Sequence, residues 1–253
     1  MTSDTIDPRR HLDIEGAYNI RDLGGYPTAE GGRTRWGVLL RADGLQGLPV
    51  RSQAALIDYG IRTVIDLRRS DAIQVAPNPF FGSEEVTYYH QNLMGDAPLD
   101  QTEESADPAD VVERNLEMYK SWLDKRPAQF YETLATLAQP DARPALFHCA
   151  TGKDRTGVVS ALLLGLAGVP EETIVDDYAL SARFLVRRRL DARPELVDSG
   201  YTWRDYQREV CPPEIMLRVL DHLKERYDGV EGYARTTGLS SEQIDTLQSA
   251  LVE

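Results

Sequence analysis

The chain has 253 residues, of which 42% are hydrophobic, so it can bury a sizeable core as one large domain or two small ones. Its 28 lysines and arginines against 41 aspartates and glutamates give a formal net charge of −13. This acidic balance argues against nucleic acid or an anionic membrane surface as a partner. Any site for an anion must therefore be local.

The two cysteines, Cys149 and Cys211, cannot form a disulfide framework, and free thiols are typical of a reducing compartment. The first residues, MTSDTIDPRRHLD, contain no apolar stretch of the kind found in a signal peptide. No uninterrupted apolar run reaches the roughly 18 residues of a membrane span. These features predict a cytoplasmic protein without integral membrane association, and secretion without a signal peptide stays open.

Short apolar runs alternate with helix-like segments from the N-terminus to the middle of the chain. Four of these runs predict strands, namely Val38–Leu40, Ile61–Leu67, Val86–Leu93 and Ala145–Phe147. Their alternation with helical patterns indicates an α/β fold with a parallel sheet. The polar, breaker-rich segment Met94–Asp110 predicts a loop.

The C-terminal part of the chain is predicted to be helical. TGVVSALLLGLAG (Thr156–Gly168) is apolar on nearly every face, which predicts a buried helix that ends before Pro170. Beyond it, apolar residues recur at helical spacing. Ser240 and Gln243 have the spacing of a capping box at the start of the last helix.

The stretch FHCATGKDRTG (Phe147–Gly157) joins a predicted strand to the buried helix. A loop in this position directs its amide hydrogens and the helix N-terminus to one place, which favours an anion. Gly152 permits a tight turn because it adopts positive φ without a steric cost. Cys149 near a helix N-terminus and cations is predicted to be a thiolate, and the planar fork of Arg155 can bind two phosphoryl oxygens. This combination predicts phosphoryl transfer to sulfur.

The pattern His-Cys-x5-Arg-Thr resembles the signature of cysteine-dependent protein-tyrosine phosphatases. YNIRDLGGY (Tyr18–Tyr26), IDLRR (Ile65–Arg69) and GKDRTG (Gly152–Gly157) make the chain similar to the atypical bacterial enzymes of the PtpB type. The resemblance implies a tyrosine-phosphatase-like parallel sheet flanked by helices, in a single phosphatase domain over 1–253. It also implies that the helical region over 170–230 could supply a lid over the active site.

The resemblance gives roles to the residues of the loop and to its neighbours. Cys149 is the implied nucleophile, and Arg155 is the implied clamp on the transition state. His148 is implied to support the loop from behind, while Arg21 and Asp22 either brace their own turn or take part in the site. The phosphate-binding loop itself is implied to contain Ala150, Thr151, Gly152, Lys153 and Thr156, the last with a hydroxyl that eases the departure of sulfur.

Hydrolysis of phosphotyrosine needs an acid that protonates the leaving oxygen. Ordinary members of the superfamily supply an Asp after a Trp-Pro pair, and no such triplet occurs here. Asp154 lies inside the loop, where the PtpB type has a candidate acid. Asp66 at the end of a predicted strand is the alternative, and we favour Asp154.

The predicted substrate is a phosphotyrosine protein or peptide, with phosphoserine, phosphothreonine and phosphoinositides as alternatives. Gly152-Lys153 before the arginine also resembles phosphoinositide phosphatases, where extra positive charge holds ring phosphates. A non-catalytic phosphate-binding module is a further alternative, although such modules lose the cysteine or the arginine and both are present here. Sulfur transfer gives no reason for the full pattern. No metal and no cofactor are predicted, because the histidines outside the motif lack metal-ligand spacing.

Two other features are predicted to be structural. Cys211, which precedes two prolines, is expected to be a passive thiol before a helix that begins with proline. The basic stretch RFLVRRRL (Arg183–Leu190) is expected to form a solvated helix face, with guidance of an anionic substrate as the alternative.

Overall fold

A computed structural model describes residues 6–95 and 110–253. The strands in these ranges are β1 (Arg21–Asp22), β2 (Leu39–Ala42), β3 (Thr63–Asp66), β4 (Thr87–His90) and β5 (Ala145–His148). The α-helices are α1 (Val50–Tyr59), α2 (Ser70–Val75), α3 (Val111–Lys125), α4 (Pro127–Ala138), α5 (Asp154–Leu166), α6 (Glu171–Ala192), α7 (Glu195–Asp198), α8 (Trp203–Val210), α9 (Pro213–Tyr227), α10 (Gly229–Thr237) and α11 (Ser241–Leu251).

The five strands form one sheet in the order β1-β2-β5-β3-β4. Strands β2, β5, β3 and β4 are parallel, as the sequence predicts. The register pairs His148 with Ala42 on one side and with Asp66 on the other, so three neighbouring strands end at the same level. The segment that follows each of these strands therefore starts at one edge of the sheet.

The parallel sheet has one antiparallel addition. Strand β1 pairs antiparallel with β2 and was not predicted, because two residues are too few to show a periodic pattern. The four predicted strands are confirmed with their ends shifted by up to three residues. Most of the loop predicted over Met94–Asp110 lies outside the described residues.

Apolar side chains cover both faces of the sheet. In β5, Phe147 belongs to the larger buried cluster and Leu146 to the smaller one on the opposite face, since successive strand residues point to opposite sides. Helix α5 packs against β2, β5, α6, α10 and α11, which explains why it is apolar on nearly every face. The predicted helices therefore flank both faces of the sheet.

The chain beyond Pro170 is helical, as predicted. Ser240 and Gln243 form the predicted capping box at the start of α11. Helix α5 begins at Asp154, two residues before the predicted start, so its N-terminus lies inside the motif. In the described part of the chain, none of the helices is long and apolar enough to cross a membrane.

Candidate active site

The segment between β5 and α5 forms a tight loop at the carboxyl edge of the sheet. The amide of Gly44 donates to the carbonyl of Ala150 at 3.2 Å, and the amide of Leu67 donates to the carbonyl of His148 at 2.8 Å. The guanidinium of Arg155 donates in turn to the carbonyl of Leu67 at 3.2 Å. The segments after β2 and β3 therefore hold the loop from its two sides.

Gly152 allows the loop to approach the end of β2. It has φ of +65°, as the sequence predicts. A Cβ at this position would lie 2.5 Å from the carbonyl oxygen of Ala42, which is backbone and cannot move aside. Only glycine fits both the backbone conformation and the space.

The Cys149 thiol lies at the base of the loop and is 1% exposed. Burial raises the pKa of Cys149, but the charge of Arg155 and the hydrogen bonds from the side chain and amide of Thr156 outweigh it, so the pKa is lowered overall. Among the described residues the buried Thr156 hydroxyl has no partner of ordinary hydrogen-bond geometry, although its interaction with Cys149 helps to lower that pKa. This hydroxyl is therefore available to donate a hydrogen bond to the Cys149 sulfur.

Behind the loop lies a fully buried polar cluster that contains His148 and Asp66. His148 Nδ1 donates to the carbonyl of Cys149 at 3.0 Å, and its Nε2 lies 2.8 Å from Asn78 Nδ2. Arg68 makes an ion pair with Asp66 at 2.7 Å. Burial raises the pKa of Asp66, but contacts with His148, Arg68 and Asn78 outweigh it and hold that pKa well below its ordinary value. The cluster fixes the backbone at Cys149 from behind.

Asp154 is the first residue of α5, and its side chain is 23% exposed. The hydroxyl of Tyr119 donates to its Oδ1 in a short hydrogen bond. The ammonium of Lys153 lies 3.1 Å from the same oxygen, and the Thr151 hydroxyl lies 3.5 Å from Oδ2. One carboxylate oxygen is thus held by two groups, while the other faces the loop.

Lys153 neither faces solvent nor extends freely into the loop. It is 7% exposed, and its ammonium donates to the carbonyl of Val210 at 2.9 Å in addition to the Asp154 contact. The sequence interpretation placed this side chain in the phosphate-binding loop, where its charge could hold a ring phosphate. One of its two partners, Val210, lies 57 residues away along the chain.

Two further features that the sequence analysis singled out lie near the loop. Cys211 is buried before α9, and burial raises its pKa to about 12 despite the nearby charge of Lys153. Helix α9, which follows it, begins with Pro213 as the sequence predicts. From the basic stretch, Arg188 is exposed and donates to the carbonyl of Ala150 at 3.2 Å.

Arg21 and Asp22 do not pair with each other, because adjacent strand residues point to opposite faces. The Asp22 carboxylate accepts the amides of Gly24 and Gly37, each at 2.7 Å, and so braces its own turn. Arg21 is fully buried on the other face and lies 3.5 Å from Asp177. The two residues, which the sequence interpretation grouped as supporting residues, therefore act in two different places: Asp22 in its own turn and Arg21 beside Asp177.

Sequence reasoning missed three buried residues around the loop. Asn19 donates to the carbonyls of Thr151 and Gly152, and Arg41 joins the Gly152 carbonyl to Asp177. Asn19 stands within the YNIRDLGGY motif and could have been singled out there. Nothing in the local sequence around Arg41 or Asp177 indicates that they meet.

A buried thiol, Cys149, and the guanidinium of Arg155 thus flank the loop between a parallel strand and a buried helix. A model of the tyrosine phosphatase family matches residues 12–253. The chain belongs to this family, and its enzyme class is protein-tyrosine phosphatase, a hydrolase.

Named relatives support the same assignment. A tyrosine-protein phosphatase of Nostoc commune is 32% identical over 213 residues, which cover 78% of this chain and 68% of the relative. The triple specificity protein phosphatase PtpB of Mycobacterium tuberculosis is 28% identical in an alignment 277 residues long. This alignment covers 95% of this chain and 98% of the relative. The resemblance to the PtpB type that the motifs indicate is confirmed.

Replacing Gly152 with alanine tests whether the loop requires glycine. Gly152→Ala is expected to lower turnover of p-nitrophenyl phosphate by at least about tenfold, because the loop must move away from β2. Gly168→Ala is the matched control, since Gly168 also has positive φ, +72°, but its Cβ would meet nothing within 4 Å. Both variants should lose roughly 1 kcal/mol of stability from the φ constraint alone. Equal activity in the two variants would contradict the tight approach to Ala42.

Thiol titration tests the electrostatics of the loop. The rate of Cys149 alkylation by iodoacetamide, followed by mass spectrometry, should have a pH midpoint below the value of about 8.5 for an ordinary thiol. Cys211, whose pKa is raised to about 12, should stay unmodified and serves as the internal control. A Cys149 midpoint at or above the ordinary value would show that burial outweighs Arg155 and Thr156.

Proposed function

We propose that the enzyme hydrolyses phosphotyrosine through a phosphocysteine intermediate on Cys149. The observation that carries this proposal is a buried thiol with a lowered pKa, placed beside Arg155 and before the N-terminus of α5. A thiolate is the nucleophilic form of cysteine, and the helix N-terminus favours the negative charges of both thiolate and phosphate. The two features are required together for attack of sulfur on a phosphoryl group.

Arg155 binds the phosphoryl group in this proposal. One of its nitrogens donates to the Leu67 carbonyl, which fixes the plane of the guanidinium, and its other N–H groups are available to equatorial phosphoryl oxygens. In the transition state of phosphoryl transfer the negative charge is spread over the three equatorial oxygens, whose trigonal arrangement the guanidinium fork can match. Together with the loop amides, Arg155 therefore stabilises the transition state more than the bound substrate.

Asp154 is the acid in the proposed first step. The sulfur of Cys149 attacks phosphorus, the bond from phosphorus to the tyrosine oxygen breaks, and Asp154 gives its proton to that oxygen. Asp154 is partly exposed at the start of α5, whereas Asp66 is fully buried in an ion pair with Arg68. The Asp66 carboxylate is also occupied by Arg68, Asn78 and His148, and these contacts favour its charged form over the acid.

The proposed second step returns the enzyme to its starting state. Asp154, now a carboxylate, takes a proton from water, the water oxygen attacks phosphorus, and the sulfur leaves as a thiolate. The products are tyrosine and inorganic phosphate. The otherwise unpartnered hydroxyl of Thr156 stabilises the departing thiolate by a hydrogen bond.

Phosphotyrosine in a protein or peptide is the proposed substrate. The relative from Mycobacterium tuberculosis is named a triple specificity phosphatase, so phosphoserine, phosphothreonine and phosphoinositides all belong in a substrate panel beside phosphotyrosine. The sequence argument for phosphoinositides depends on a free positive charge at Lys153. That charge is occupied by Asp154 and the Val210 carbonyl, which weakens the argument.

The helical region over 170–230 is proposed to cover the site, within a single domain. Two contacts support this: Arg188 on α6 reaches the Ala150 carbonyl, and the end of α8 accepts the Lys153 ammonium at Val210. A role for this region as a lid remains a prediction of the resemblance.

Serine substitution tests the nucleophile. Cys149→Ser is expected to lower turnover of a phosphotyrosine peptide by at least about 1,000-fold, because a hydroxyl is not ionised at neutral pH. Cys211→Ser is the matched control, since this buried thiol lies outside the proposed chemistry, and it should keep near wild-type turnover. Rapid quenching of the wild-type enzyme with labelled substrate should trap label on Cys149. Activity of Cys149→Ser within tenfold of wild type would refute the proposal.

Leaving-group dependence tests the acid. Asp154→Asn should slow hydrolysis of phosphotyrosine far more than that of p-nitrophenyl phosphate, because nitrophenolate leaves without a proton. The basic limb of the pH profile for kcat should flatten in the same variant. Asp66→Asn should affect both substrates equally, since it disturbs only the support behind the loop. The reverse pattern in the two variants would make Asp66 the acid.

A further inference from the structure

The carbonyl groups of the loop are held by donors from outside the loop. Four consecutive carbonyls, from Cys149 to Gly152, each accept a hydrogen bond from outside the loop. A buried carbonyl without a hydrogen-bond partner is unfavourable, so these donors determine which way each peptide group turns. His148 Nδ1 donates to the Cys149 carbonyl, and the Gly44 amide and Arg188 donate to the Ala150 carbonyl. Asn19 Nδ2 donates to the Thr151 carbonyl and, together with Arg41, to the Gly152 carbonyl.

Asn19 is oriented so that its amide nitrogen faces the loop. It is fully buried, its backbone N–H donates to Asp43 at 2.9 Å, and its side-chain oxygen accepts a short hydrogen bond from Arg21. The side-chain nitrogen then donates to the carbonyls of Thr151 at 3.0 Å and Gly152 at 3.3 Å. Since one end of the amide is occupied by a cation, the other end must be the donor.

Arg41 donates a hydrogen bond to the Gly152 carbonyl and forms an ion pair with a buried carboxylate. One nitrogen of its guanidinium donates to Gly152 at 2.7 Å, and another makes a short ion pair with Asp177 on α6. Asp177 also lies 3.5 Å from Arg21 and accepts the Tyr26 hydroxyl at 2.8 Å. Burial raises the pKa of Asp177, but Arg41 and Arg21 outweigh it, so its pKa lies well below the ordinary value. Asp177 thus balances two buried guanidinium groups.

We propose that Asn19 and Arg41 are positioning residues that hold the Thr151 and Gly152 carbonyls out of the phosphate site, with Asp177 as the anchor of Arg41. This inference rests on the proposed function, because it concerns the same loop. Gly152 has no side chain to resist rotation of the peptide that joins it to Lys153. Without its donors, this peptide can turn its carbonyl inward, which removes an amide from the phosphate and presents an oxygen to it.

Two variants separate positioning from general stability. Arg41→Lys keeps a positive charge beside Asp177 but loses the fork that reaches two partners, and Asn19→Ala removes a donor without removing a charge. Protection of Cys149 from iodoacetamide by inorganic phosphate gives the phosphate affinity of each protein. Both variants should bind phosphate at least about tenfold more weakly and lose kcat/KM by at least the same factor. The pH midpoint of alkylation should rise, which a purely structural defect in a folded protein would not produce.

Ser181→Ala is the matched control. It removes a neighbour of Arg21 at 3.3 Å but leaves every donor to the loop in place, so phosphate protection should equal that of wild type. If phosphate fails to protect the wild-type enzyme, the proposed function is wrong. If phosphate protects wild type and both folded variants equally, with unchanged alkylation midpoints, the positioning role is overturned. Where Arg41→Lys does not fold, Asn19→Ala decides the question, because it leaves the buried charges balanced.

Discussion

Hydrogen bonding of the loop carbonyls is the constraint on which the site depends. A phosphate site built from backbone amides requires the carbonyls of the same peptides to find donors on the outside. The register of the sheet places some of these donors, since Ala42, His148 and Asp66 end their strands at one level. Residues that follow or precede these ends, such as Gly44 and Arg41, are then within reach of the loop.

Two buried ionic clusters lie around the loop, one with Asp66 and Arg68 and the other with Asp177 between Arg21 and Arg41. Loss of one partner from a buried pair typically costs about 3–5 kcal/mol, because an uncompensated charge remains. Both carboxylates have pKa values below the ordinary value. Their contribution to stability is therefore present above the ordinary carboxyl pKa and is lost as the pH falls towards the lowered values.

The sequence was most informative where the signal is local. The strand, the loop and the buried helix follow from apolar periodicity, and positive φ at Gly152 follows from its place in the motif. The ion pair of Arg41 with Asp177 joins residues 136 positions apart, and no local pattern encodes such a contact. Lys153 shows the same limit, because a motif places a side chain on the loop but does not reveal which distant carbonyl will bind it.

The anchoring of α6 has a mechanical consequence. Asp177 and Ser181 fix the first half of this helix to the sheet through buried groups, whereas α7 contains no buried residue. Segments with few buried contacts open at the lowest free-energy cost. Local opening is therefore expected at α7 sooner than in the first half of α6. The first half of α6 and the helices α9 to α11, which contain buried core residues, would keep their places during such opening.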